Sequence, residues 1–374
     1  MQTLLSVGLL TMLWIINLIN GTGLNEVYHI TTIAQIVVMI LSACMILIKV
    51  EKKRKLLVRT SDFYIFGGMT FLFLFSSYVN GNGFQAINYL WMYLLVFLIA
   101  QMSINEKVFM WTSLIYGVLG LAILVIYDYG TVLQGWNENS IAMIGMHSFL
   151  MLIVPFYNRV NSLRNKCILI IVAIMFAFLL LPTNSRSGIL FLMIGTAFAL
   201  NFISRKIIIG NHRRVVTALL VPLFIAVCIA VISGSGMADS LNTWSYETFQ
   251  KPIFNGRDEL WIQGFEVLSQ HPLIGTGNLA YANWHNSAVA CLVAYGAIGY
   301  ILWVKSFYQI FKHIKMWLKD YLVMGCLISF VVLYIQQSVE LGFIGVNSTL
   351  LPYIMLGMML GRVKYLKKMK RKRV

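Results

Sequence analysis

The stretch CILIIVAIMFAFLLLPTNSRSGILFLMIGTAFALNFIS, residues 167–204, holds two long apolar runs and one charged residue, Arg186, in the polar break between them. About 20 apolar residues are needed to cross a hydrocarbon core as a helix. Runs of this kind, at 167–182 and 188–204, recur along the chain. The 374 residues are 59% hydrophobic and 11% charged, with a mean hydropathy of +0.78. A soluble domain of this size needs a polar face that such a composition cannot supply. The sequence predicts an all-α integral membrane protein, a single polytopic domain over 1–374.

Twelve spans are expected, at roughly 2–20, 29–49, 63–79, 85–101, 108–127, 140–157, 167–182, 188–204, 215–233, 286–304, 320–337 and 345–361. The opening MQTLLSVGLLTMLWIINLIN lacks a basic n-region and a cleavage site, so it reads as a retained first helix. The five cysteines show no metal-type spacing and read as packing residues.

The net charge of +16 is unevenly distributed. With the N-terminus in the cytoplasm, the basic stretches 51–59, 158–166, 204–214, 305–319 and 362–374 fall on one side. Of the 29 Lys and Arg, only Arg186, Lys251 and Arg257 face outward. That bias is a positive-inside signal, with both termini cytoplasmic. The basic tail then anchors orientation and attracts anionic lipid, and nucleic acid is not an expected partner. Three cations on the wrong side need another explanation.

The longest loop, 234–284, is extracytoplasmic in this topology, and a loop of that length is commonly functional. Within it Trp261, Phe265 and Leu268 fall at i, i+4, i+7, which predicts a short amphipathic helix suited to the membrane surface. Asn255 is its expected N-cap, with Asp258 completing a capping box. Arg257 then lies in a first turn whose backbone N–H groups and dipole favour a phosphate. It reads equally as a loop arginine paired with Asp258 or Glu259. Pro272 ends the helix, and Gly275 and Gly277 permit a tight turn. His285 opens the tenth span, where a histidine is also a common cap or interfacial residue.

Arginine forks hold phosphate oxygens in bidentate fashion, and an imidazole can take a proton from a hydroxyl near neutrality. Together they fit glycosyl transfer from a lipid-linked diphosphate, with the arginines stabilising the departing charge. No carboxylate pair for a divalent metal, HExxH, P-loop or GxSxG motif occurs, so neither metal nor cofactor is expected.

Three motifs in order, TNSRSGIL (183–190), GRDELWIQGFEVLSQHPLIGTG (256–277) and WHNSAVACLVAYGAIGY (284–300), resemble the bacterial O-antigen ligase and polymerase family. The resemblance implies a transferase of the bacterial cytoplasmic membrane. It would act at the outer face on undecaprenyl-diphosphate-linked glycans, without nucleotide or metal. It implies His285 as catalytic base and Arg186 and Arg257 as diphosphate contacts. Lys251 is a further candidate for the diphosphate, and Asn286 and Glu340 are supporting candidates. Glu340, in QQSVELGF (336–343), either orients a partner or sits at the interface.

The expected function is a polysaccharide polymerase of O-antigen or capsule, passing growing glycan to the non-reducing end of a lipid-linked repeat unit. The aromatic-rich segments NTWSYETF (242–249) and YANW (281–284) suit sugar binding. The alternatives are an O-antigen ligase acting on lipid A core and, in another class, a lipid-linked glycan flippase. A transporter should carry ionisable residues at the midplane and internal repeats. The expected partners are membrane lipid, a flippase and a chain-length regulator of the same pathway.

Overall fold

The computed structural model describes residues 2–19, 29–51, 60–129, 138–158, 162–204, 212–249, 252–344 and 349–371. Fourteen α-helices lie among them. In chain order they are α1 (Gln2–Ile19), α2 (Ile30–Glu51), α3 (Thr60–Val79), α4 (Ile87–Gln101), α5 (Glu106–Tyr129), α6 (Glu138–Leu152) and α7 (Leu163–Leu180). There follow α8 (Arg186–Ala199), α9 (His212–Gly234), α10 (Met237–Phe249), α11 (Arg257–Gln270), α12 (Ser287–Ile314), α13 (Tyr321–Gln336) and α14 (Leu351–Arg371). No strand occurs among the described residues.

Helices fall on each of the twelve stretches expected to span. By length and composition, five are sufficient to cross a membrane: Ile30–Ile48, Glu106–Tyr127, Leu163–Thr183, Arg214–Gly234 and Ser287–Trp317. The remaining two helices, α10 and α11, lie in the loop 234–284. Only one helix was expected there, since α10 (MADSLNTWSYETF) contains no apolar run.

The centre of the bundle is α12, α13 and residues 351–363 of α14, whose side chains are buried nearly all round. A helix apolar on every face belongs in such a position. An aromatic cluster fills the space between them. Phe343 meets Tyr334 edge-on with ring centroids 5.2 Å apart, and Phe330 at 5.4 Å. The Trp303 indole N–H donates to the Tyr89 hydroxyl. Asp320 caps α13 through the Val323 N–H and also holds Arg362 of α14 at 2.8 Å. By contrast α2 and α9 keep many large apolar side chains exposed, Ile33, Ile36, Phe224 and Val231 among them. That is the pattern of helices facing lipid.

Helix α12 is broken. Gly296 has φ +65° and ψ −173°, so one α-helical ladder ends and another begins there. The segment 271–278 fills the gap. Thr276 and Gly277 donate backbone N–H groups to the carbonyls of Val293 and Ala294, at 2.8 and 2.7 Å. Ala297 and Ile298 donate to the carbonyls of Pro272 and Leu273, at 2.9 and 3.2 Å. A helix break deep in a bundle would leave these groups orphaned, and the strap satisfies all four. From the other side α3 holds the strap: Ser76 Oγ donates to the Ile274 carbonyl at 2.6 Å and Ser77 Oγ to that of Gly277 at 2.8 Å.

Candidate functional site

The polar break in 181–186 is built by short-range bonds. Helix α7 passes into a 3-10 turn, Leu181–Thr183, then Asn184 takes a left-handed backbone with φ +50°. Ser185 caps α8 by accepting from the Gly188 N–H at 3.3 Å. Arg186 is the first residue of α8 and is exposed. The neighbouring Ser187 Oγ donates to Glu340 Oε1 at 3.2 Å.

Arg257 opens α11, but no capping box forms there. The N-cap is Gly256, left-handed at φ +75°, with no side-chain cap bond. Asn255 is itself left-handed at φ +54°. The first turn is closed instead by the Arg257 N–H to the Phe254 carbonyl at 3.1 Å. Asp258 is buried, and its Oδ2 accepts from Ser233 Oγ of α9 at 3.4 Å.

Nor is the apolar stripe of α11 wholly free. Trp261 is buried and donates to the Trp284 carbonyl at 2.6 Å, while Gly264 lets Val289 and Trp284 approach closely. Ile262 and Phe265 face α9 across a cleft of about 530 Å³, lined also by Val227, Ala230, Val231, Glu266 and Ser269. The helix is clamped between α9 and α12, because its apolar stripe meets protein on two sides.

The partner of Arg257 is neither Asp258 nor Glu259. Its Nη2 donates to Glu340 Oε1 at 3.2 Å. His285 Nδ1 lies 3.6 Å from Glu340 Oε2, slightly longer than a hydrogen bond. Glu340 therefore gathers Ser187 of α8, Arg257 of α11 and His285 just ahead of α12. Its side chain is only 8% exposed, against 20% for Arg257 and 30% for His285. The carboxylate is buried and has these three groups as its partners.

Asn286 explains why the groups meet. Its Oδ1 accepts from the N–H groups of Ala288 and Val289, at 2.8 and 3.1 Å, and so caps α12. Its Nδ2 donates to the carbonyls of Pro222 in α9 and Ser338, at 2.9 and 3.0 Å. Ser287 extends the seam, with its N–H on the Gln337 carbonyl at 3.0 Å and its Oγ on Gln337 Oε1 at 2.9 Å. Both ends of the Asn286 amide are thus spent on positioning, leaving nothing for a ligand. His285, at φ +46°, turns the chain into this cap.

Of the expected site residues, Arg257, His285 and Glu340 come together, Arg186 stands beside Ser187, and Lys251 lies outside the described residues. Ser187 was not singled out in the sequence. Its adjacency to Arg186 in a motif was the available signal. Among the described residues no three His, Cys, Asp or Glu side chains gather into a metal-binding set.

Residues 169–304, just over a third of the chain, match the family model described as O-antigen ligase. Over that segment the chain is similar to the O-antigen ligase family. No curated protein sequence matches the chain. The matched segment contains Arg186, Arg257 and His285 and ends before Glu340. The likeness is to proteins of glycosyltransferase type, and the apolar helices are those of a multi-pass membrane protein.

Proposed function

We propose that this chain belongs to the O-antigen ligase and polymerase family and is a polysaccharide polymerase of an O-antigen or capsule pathway. It spans the bacterial cytoplasmic membrane twelve times, with both termini cytoplasmic and the Arg257–Glu340–His285 cluster at the outer face. The donor is growing glycan on undecaprenyl diphosphate, and the acceptor is the non-reducing end of a lipid-linked repeat unit. A flippase supplies the substrate, and a chain-length regulator acts on the product.

One observation carries the reading: Glu340 draws an arginine, a serine and a histidine together from three separate elements. With Nδ1 facing the carboxylate, the imidazole has Nε2 left for an acceptor hydroxyl, the orienting logic of a base held by a carboxylate. The acceptor oxygen bonds to the anomeric carbon as the bond from that carbon to the diphosphate oxygen breaks. The hydroxyl proton passes to His285 Nε2. Arg257 has five N–H donors and uses one on Glu340, so the rest of its fork can meet the diphosphate. Arg186, exposed one residue from Ser187, is the second phosphate contact, and Lys251 is a third candidate. Neither metal nor cofactor enters this scheme. The apolar cleft between α9 and α11 offers hydrocarbon a place on the same helix that carries Arg257.

The alternative is a ligase that passes finished glycan to lipid A core, and the family likeness is compatible with both. A gel of surface and lipid-linked glycans decides between them. The gene is deleted and complemented with wild type or His285→Ala. Loss of the ladder with single repeat units still on their anchor marks a polymerase. Long polymer stranded on undecaprenyl diphosphate marks a ligase. His285→Ala should lower the rate by about 10²–10⁴-fold at normal expression, and full activity in that variant removes histidine as the base.

A further inference from the structure

Four residues before His285, the exposed Tyr281 lies flat on Trp284. Their ring centroids are 6.1 Å apart and their planes differ by 11°. The two rings have opposite fates. Trp284 is 3% exposed, and Tyr281 is 52% exposed. The buried ring is fixed twice. Its carbonyl accepts from Trp261, and its six-membered edge lies against Gly264, where a Cβ would come within 3.2 Å of the indole. The chain leading to Tyr281 is held as well. The Ala280 N–H donates to Asn278 Oδ1 at 2.8 Å, and Asn82 Nδ2 donates to the Thr276 carbonyl at 3.1 Å.

The outcome is a rigid aromatic shelf with one face open. Hydrophobic packing alone would bury both rings, since an exposed phenol forgoes most of its transfer free energy. A pyranose presents an apolar face of C–H groups, and an aromatic ring offers it a flat surface with a negative quadrupole. Trp284 shares a peptide bond with His285, so the buried ring of the shelf and the imidazole are carried by neighbouring residues.

We propose that Tyr281, backed by Trp284, is a stacking subsite for a sugar ring of the glycan acceptor and sets which acceptor hydroxyl meets His285. The inference rests on the transferase reading. Tyr281 touches no reacting atom in this scheme, and its contribution falls on acceptor binding.

The test uses full-length protein in nanodiscs. The probe is free glycan, released by mild acid from the host's lipid-linked repeat units. Binding is followed by saturation-transfer NMR, and transfer is measured with the intact lipid-linked substrates. Tyr281→Ala should weaken glycan binding and raise the acceptor KM by about three- to tenfold, with kcat little changed. Tyr281→Phe, which keeps the ring, should restore both. Wild-type affinity in Tyr281→Ala overturns the subsite. So does a variant that keeps its KM but loses thermal stability, the mark of an aromatic lipid anchor. If wild type transfers glycan without binding the free probe, the subsite falls while the enzyme stands. If it neither binds nor transfers, the functional reading falls first and takes the subsite with it.

Discussion

Glu340 accepts from Arg257 and Ser187 through one oxygen and faces His285 with the other. A carboxylate with those neighbours acts through the groups it holds. Removing it leaves Arg257 without its buried counter-charge and frees the imidazole to rotate. Glu340→Gln should therefore lower kcat by about 1–3 kcal/mol of transition-state stabilisation. The discriminating measurement is the double variant. In a His285→Ala background Glu340→Gln should cost little further, because the base it orients is already gone. Additive losses would mean that Glu340 serves the fold or Arg257 alone. Local sequence could name the members of this group but not their meeting. Glu340 lies 153 positions from Ser187 and 83 from Arg257, and such pairings leave no periodic trace in a chain.

At the scale of elements, the strap 271–278 and the break in α12 are two halves of one device. The apolar runs and the polar stop around Arg186 were legible, since hydrocarbon length and a Ser185 cap are local properties. The break was not, because Gly296 in VAYGAIG reads as an ordinary small residue in an apolar helix until a second segment is brought against it. The expected capping box failed for a related reason. Asn255 and Asp258 have the right types and spacing, but left-handed backbone at Asn255 and Gly256, and a tertiary bond from Ser233, set the geometry. The steric demand at the strap is sharp. A Cβ on Gly296 would fall 2.3 Å from the Leu273 carbonyl, and one on Gly275 would fall 2.4 Å from the Ala294 backbone. Both residues also hold positive φ, at +65° and +70°. Gly296→Ala and Gly275→Ala should each destabilise by more than about 1 kcal/mol and lower the thermal midpoint in detergent. Gly67→Ala, in α3 where a Cβ meets nothing within 4 Å, should hold or raise it. Equal midpoints for all three variants would remove the strap's structural role.

For the whole molecule, the distribution of charge and the position of the site make one argument. Outside the group Arg186, Lys251 and Arg257, every Lys and Arg lies on the side assigned to the cytoplasm, although the net charge is +16. One of those three exceptions, Arg257, is bonded to Glu340 beside His285, so at least one cation that departs from the orientation rule is built into the site. Orientation and chemistry can be tested together with a charged thiol reagent that does not cross membranes. Asn283, exposed two residues before His285, and Lys368, exposed on α14, mark the two faces. In a chain with Cys44, Cys167, Cys228, Cys291 and Cys326 replaced by alanine, Asn283→Cys should label in intact spheroplasts. Lys368→Cys should label only after the membrane is opened. The reverse pattern would turn the cluster toward the cytoplasm. The three cations would then sit where Lys and Arg are common, and the charge argument for a lipid diphosphate would lose its force. Labelling of both sites in closed spheroplasts would place an even number of crossings between them, incompatible with three spans from the tenth to the twelfth.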